Sequence, residues 1–309
     1  MLRYTLEKFL LMIFTLFIIS TLTFFMAHAL PGGPYQNPEK LTPQVKALFD
    51  IKYGLNEPLP IQYVKYLENL LQGNLGYSFK YMNQSVNGII AKTFPVSAQL
   101  GLEALLFAVP LGLIFGILSA LFRSRWPDYI LVIIAVLGVS VPNFVLAALM
   151  QYFIGVKLQI LPVAKWGTFA HTIMPSIALG IGILALITRI MRTSMLDVLG
   201  SDYLRTAKSK GLSQGLIIWR HALRNALLPI VTIIGVLMVD LITGSIIIEQ
   251  IFLIPGMGKH YVNSINTNDY TLIMGLTIFY SALLVLAIFL TDLLYGLVDP
   301  RIRVAGRKE

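Results

Sequence analysis

Cysteine is missing from all 309 residues. That excludes disulfides, thiolate zinc sites, iron–sulfur clusters and a cysteine nucleophile. Charge is scarce too. Asp, Glu, Lys and Arg make up 13% of the chain, about half the share usual in soluble proteins. No Gly-x-x-x-x-Gly-Lys-Ser/Thr stretch occurs, so this chain has no P-loop to cradle a nucleotide phosphate. A His-Glu-x-x-His zinc motif is absent as well. What is present is apolar: hydrophobic residues fill 56% of the sequence and mean hydropathy is +0.75. A soluble domain would have nowhere to bury them.

The apolar residues form six runs: Phe9–Ala29, Ser97–Phe122, Tyr129–Val156, Trp166–Thr188, Asn225–Ile248 and Tyr270–Thr291. Each reaches the roughly 18 residues a helix needs to cross a bilayer. Open strands would leave backbone groups unsatisfied in lipid. The expected fold is therefore an all-α integral membrane protein with six transmembrane helices. Ala27-His28-Ala29 has the look of a signal-peptidase site, but the run before it exceeds the usual ~7–15 residues of a signal-peptide core, so a retained helix is expected. Pro110, Pro142 and Pro229 can kink their spans. Gly112, Gly116, Gly235 and Gly244 permit close helix approach.

The net charge of +9 would suggest nucleic acid in a soluble protein. Here the bases flank apolar spans, which implies a bilayer and no nucleic acid. With the N-terminus inside, segments 1–8, 122–128, 189–226 and 298–309 hold 15 of the 24 Lys and Arg, including all eleven arginines. The opposite-side segments are longer and hold only nine. The positive-inside rule then places both termini in the cytoplasm. Residues 1–309 read as one transmembrane domain, with 30–96 extracytoplasmic. That segment opens with the turn cluster Pro31-Gly32-Gly33-Pro34. Within it, Ile61, Val64, Leu67 and Leu71 recur at helical spacing. Such a helix suits either the membrane surface or an external partner.

Segment 189–226 is the most informative. Ser201 or Asp202 can cap a helix start, and Gly211 suits the left-handed position past its end. Tyr203 and Ala207, four apart, share one face. Ser213 can start a second helix carrying Trp219 and Arg220. The result is a stiff basic knob. The stretch Asp202-Tyr203-Leu204-Arg205-Thr206-Ala207-Lys208-Ser209-Lys210-Gly211, followed by Arg220-His221-Ala222-Leu223-Arg224-Asn225-Ala226-Leu227-Leu228-Pro229, closely resembles the peptide branch of ABC-importer permeases. Against the Glu-Ala-Ala signature of such permeases, Arg205 takes the Glu position, Thr206 and Ala207 the alanines, and Gly211 the glycine. Gly73-Asn74-Leu75-Gly76-Tyr77-Ser78, Ser140-Val141-Pro142-Asn143-Phe144, Ile254-Pro255-Gly256-Met257-Gly258 and Asp299-Pro300-Arg301-Ile302-Arg303 resemble further landmarks of the B-type subunit.

The resemblance implies the type I importer architecture and a multi-pass location in the bacterial cytoplasmic membrane. It implies a noncatalytic subunit forming half of the pore of an oligopeptide or dipeptide importer. It also implies a C-type permease partner, two ATP-binding subunits that use ATP and Mg, and an extracytoplasmic substrate-binding protein. Nickel or glycosides are the substrates in some relatives. Alternating access would be driven through the coupling residues Tyr203, Leu204, Arg205, Thr206, Ala207 and Gly211. No cofactor, metal or catalytic residue is expected on this chain.

Three acids interrupt the spans. Glu103 and Asp292 are expected near span ends, reaching headgroups. Asp240 lies deeper and suits either the pathway wall or a structural hydrogen bond between helices. A rival reading is an ion-coupled secondary transporter using Asp240. Gly211-Leu212-Ser213-Gln214-Gly215 also matches the nucleophile-elbow pattern. That chemistry requires a strand before the serine, so Ser213 is expected to cap a helix instead.

With no native cysteine, single-cysteine labelling has no background. Asn83→Cys should react with an impermeant reagent from outside (after permeabilisation of any outer membrane), and Ser209→Cys only after lysis. The reverse pattern would overturn the orientation.

Overall fold

The computed structural model describes residues 2–31, 42–81 and 83–298. The helices are α1 (Leu2–His28), α2 (Pro43–Tyr53), α3 (Leu59–Leu71), α4 (Val86–Leu121), α5 (Trp126–Ser140), α6 (Asn143–Met150) and α7 (Phe169–Leu199). They continue as α8 (Asp202–Ser209), α9 (Gln214–Leu216), α10 (Leu223–Ala226), α11 (Leu228–Ile242), α12 (Ile246–Ile251), α13 (Gly258–Asn266) and α14 (Tyr270–Val298). Among the described residues there is no strand, only one isolated bridge between Tyr77 and Ser85. Among the described residues, five helical spans are long and apolar enough to cross a membrane. A sixth exists only if a bent pair counts as one span.

That pair corrects the run 129–156. It is not one straight helix: α5 and the stretch Asn143–Lys157 meet at 101°. Pro142 has no N–H to donate and disfavours helical backbone at the residue before it. Val141 is accordingly extended (φ −85°, ψ 121°), and Pro142 opens α6. The other two prolines lie inside helices. Pro110 sits within an unbroken α4, and Pro229 lies in the first turn of α11, where a missing N–H costs nothing. Of the turn cluster 31–34, only Pro31 is among the described residues.

Two compact units divide the chain: 1–95 with 259–286, and 96–258 with 287–309. In the first, Phe24 and Ala27 of α1 pack with Tyr270 and Met274 of α14, backed by Tyr63, Tyr66 and Phe79. The short amphipathic helix forms as α3. Its aromatic side meets α1, with Thr21 Oγ1 2.7 Å from Tyr63 Oη, while Ile61, Val64 and Leu71 stay exposed. Asp269 precedes α14, is fully buried, and accepts from the backbone of Phe79 (3.0 Å), Lys80 (3.1 Å) and Leu272 (3.2 Å) and from the Ser78 hydroxyl. The landmark 73–78 is therefore a turn folded onto the start of α14.

In the second unit α7 is the central strut, packed against α5, α6, α11 and α12. Within their most apolar windows 61% of α7 is buried, against 11% of α1. At about 1.5 Å per residue, the 31-residue α7 outreaches a ~30 Å hydrocarbon core. Its last turns carry the chain out of the apolar layer. The glycines expected at close approaches do that work. An ideal Cβ on Gly116 would sit 2.5 Å from Met191 Cβ and 2.8 Å from the Thr188 carbonyl, and one on Gly112 would sit 2.9 Å from Ile187 Cβ.

Gly116→Val should therefore destabilise the purified chain by about 1–3 kcal/mol through overpacking of α4 on α7. Gly215→Ala, which meets nothing within 4 Å, should leave thermal unfolding unchanged. Equal melting of Gly116→Val and wild type would refute the contact.

Candidate functional site

The knob begins where α7 stops. Gly200 and Ser201 turn the chain, and α8 follows. Ser201 occupies the cap position, but its hydroxyl donates to the Val198 carbonyl (2.6 Å) instead of capping α8. Past Ser209, Gly211 holds φ +79°, the left-handed conformation the sequence led one to expect. Its N–H donates to the Lys208 carbonyl at 3.0 Å.

Leu204 and Ala207 are buried, joining a cluster with Ile217, Ala222 and Met195. Ala207 thus faces its own chain. Tyr203 is 45% exposed and ties the knob down. Its hydroxyl accepts from Asn225 Nδ2 (2.8 Å), with the His221 carbonyl 3.5 Å away. The exposed surface consists of Asp202, Tyr203, Arg205, Thr206, Lys208, Ser209, Lys210 and Gly211. Arg205 pairs with Asp202 at 3.3 Å, a fully solvated contact of little energetic weight. Below α8 a cavity of about 390 Å³ is lined by Leu121, Leu199, Leu204 and Ile217, with Arg205 and Lys208.

Behind the knob stands a clamp that the hydropathy pattern does not single out. Asp128, 3% exposed, takes both Nε and Nη2 of Arg192 at 2.8 Å. It also accepts from the Ser124 amide (3.0 Å) and the Ser119 hydroxyl. The α4–α5 turn is thereby fixed to α7 two turns before the knob. Bidentate geometry with every remaining lone pair engaged is what makes a buried ion pair tolerable.

A second buried acid was also hidden. Glu249, fully buried, accepts from Ser97 Oγ (2.6 Å) and the Gly258 amide (3.0 Å). Ser97 Oγ in turn accepts from the Met257 amide (2.8 Å). A Cβ on Gly244 or Gly256 would collide with this carboxylate. The landmark 254–258 is glycine-rich because its backbone wraps an acid. Glycines clustered near a lone Glu in an apolar sequence were the available signal.

Two of the three acids expected from the sequence, Glu103 and Asp240, move. Glu103 does not lie near a helix end: α4 starts at Val86, which puts Glu103 mid-helix, bonded by Gln99 Nε2 (2.8 Å) and Ser176 Oγ (3.3 Å). Asp240 is exposed, two residues before α11 ends. Ser213 precedes α9 directly, residues 210–211 form a turn and 212 is irregular, so no strand leads into it as a nucleophile elbow demands. Landmark 299–303 lies outside the described residues.

The family profile described as the binding-protein-dependent transport system inner membrane component matches residues 112–304, and its N-terminal membrane-component companion matches residues 1–101. The dipeptide transport system permease protein DppB of Bacillus subtilis is 45% identical over 304 residues, covering 98% of this chain and 99% of that protein. The oligopeptide transport system permease protein OppB of Haemophilus influenzae is 46% identical over 306 residues, 98% of this chain and all of that protein. A chain of the MetNI methionine ABC transporter in an inward-facing conformation shares the fold at TM-score 0.56 and 17% identity, over 68% of this chain and 96% of its own. These matches give no support to the ion-coupled reading of Asp240. The chain belongs to the family of binding-protein-dependent transport system inner membrane components, as a multi-pass permease subunit.

Proposed function

We propose that this chain forms half of the pathway of an ATP-driven dipeptide or oligopeptide importer in the bacterial inner membrane, and that the 201–211 knob receives the push of the ATPases. The near-full-length identity to DppB and OppB carries the peptide reading. The partners are a second, C-type permease, two ATP-binding subunits holding ATP and Mg, and an extracytoplasmic substrate-binding protein.

The knob's construction supports the coupling role. Leu204 and Ala207 seat it on its own chain, Tyr203 latches it to Asn225, and Gly211 sets its exit. Tyr203, Arg205 and Thr206 are left for a partner. A load on this surface reaches α7 through Gly200 and Ser201, and reaches the α4–α5 turn through Arg192 and Asp128. Pathway opening then follows as the strut and the turn shift together. Asp240, exposed on α11, is a candidate for the pathway wall.

Gly211→Val forces a β-branched residue into positive φ, straining the turn by about 1 kcal/mol or more. Arg205→Glu reverses the charge at that one position and removes the knob's net positive charge. Both should lower peptide uptake and ATPase copurification while membrane insertion stays intact. Wild-type uptake and ATPase retention in both variants would remove the knob from the coupling path.

Arg192→Met leaves Asp128 buried without its cation and should cost about 3–5 kcal/mol in thermal stability. If the clamp also transmits load, Arg192→Lys, which keeps the charge but loses the fork, should lower uptake per ATP hydrolysed in assembled complexes. An unchanged ratio would limit the clamp to stability.

A further inference from the structure

Helix α3 carries two kinds of exposed surface. Pro60, Val64 and Leu71 line one flank, and Lys65 and Asn69 line the other. Spacings of four and seven residues keep each set on its own side. Leu71 is 90% exposed and Val64 53%. A lone exposed leucine is ordinary, but an apolar strip along one flank marks a contact.

The packed side of α3 says how deep the helix lies. Tyr63 Oη is 2.7 Å from Thr21 Oγ1, and its ring lies 5.3 Å from Phe24 and 5.5 Å from Phe25. One turn on, Tyr66 stacks on Phe24 at 5.4 Å. Gln62 Oε1 is 3.3 Å from His28 Nε2. Each of these contacts falls on the last turns of α1.

The last charge before the α1 span is Lys8, and Thr21 to Phe25 follow it by 13 to 17 residues. At about 1.5 Å per residue, that is ~20–25 Å into a hydrocarbon core of ~30 Å. Tyr63 therefore meets α1 about 5–10 Å below the boundary, the depth at which an interfacial helix rests. Leu22, Phe25 and Met26 are exposed on the same turns of α1. The lipid-facing side of the span thus runs on to α3 through Phe25 and Tyr63. A water-soluble partner would have to reach beneath the headgroups to cover a helix at this depth, where acyl chains already lie.

We propose that α3 lies in the membrane interface at the His28 end of α1. Its Pro60–Val64–Leu71 flank rests on lipid acyl chains, and its Lys65–Asn69 flank faces the aqueous headgroup layer. Lys65 already holds Glu57, so the contact requires acyl chains and no anionic headgroup. This placement goes beyond the transport reading and does not depend on it.

The test places single nitroxide labels on this cysteine-free chain. The intact complex, with any cysteines of its other subunits replaced, is reconstituted in phosphatidylcholine nanodiscs. Collisions with oxygen, which concentrates among acyl chains, are compared with collisions with a water-soluble nickel chelate. Labels at Val64→Cys and Leu71→Cys should favour oxygen severalfold, and labels at Lys65→Cys and Asn69→Cys should favour nickel. A nickel preference at Val64 and Leu71 would overturn the proposal. Shielding of both sites from both reagents would overturn it too, because protein would then cover the flank. So would a loss of oxygen collisions on adding the purified external binding protein. Should Val64→Cys fail to assemble, Leu71→Cys against Asn69→Cys decides alone, since a side chain as bare as Leu71 supports no packing.

Discussion

A carboxylate taken out of water has to be surrounded by donors or it unfolds what holds it. Asp128 meets that demand with a bidentate guanidinium, a hydroxyl and an amide. In doing so it decides where three pieces of chain can go. Ser119 belongs to the end of α4, Ser124 to the turn, and Arg192 to α7. None can shift by much without stranding the acid. The knob hangs from the end of α7, so its position depends on the same contact.

The same solution recurs where the chain must change direction. Glu249 gathers the backbone of 257–258 and the Ser97 hydroxyl. Asp269 gathers residues 78–80 and the first turn of α14. Apolar helices in lipid gain little from burying one another's side chains, because the tails are as apolar as leucine. Packing of small residues and polar joints must then supply the specificity. Gly112 and Gly116 against α7 provide the first, and the three buried acids provide the second.

This division explains what could be read beforehand. Span positions followed from hydropathy, since a run of 20 apolar residues has few alternatives. Ends were less legible. α4 begins eleven residues before its apolar run, at Val86, and α7 runs eleven residues past Thr188 to Leu199. Polar helix beyond the bilayer looks like loop to a hydropathy count. Gly211 was legible because a glycine after two lysines has one cheap use. Ala207 was not: a face shared with Tyr203 says nothing of which face meets the chain's own core. The buried acids were least legible. Hydropathy treats Asp128, Glu249 and Asp269 as mere breaks between spans, yet their partners lie as far as 191 residues away, as Ser78 does from Asp269.

The bend at Pro142 shows how a local rule and a distant contact combine. Proline alone would permit many angles; it only disfavours continued helix at Val141. After the bend, Gln151 at the end of α6 donates to the carbonyls of Val163 and Ile251, both at 2.9 Å. Those bonds join α6 to the segment that Glu249 organises, and Lys165 N–H adds a third by donating to the Phe252 carbonyl at 2.8 Å. The 101° angle is thus held from its far end, by backbone carbonyls freed where α12 stops. A straight helix through 129–156 would carry Gln151 away from both carbonyls and leave those acceptors without it. The apolar run in the sequence is equally compatible with either shape. The polar bonds at its end select the bent one.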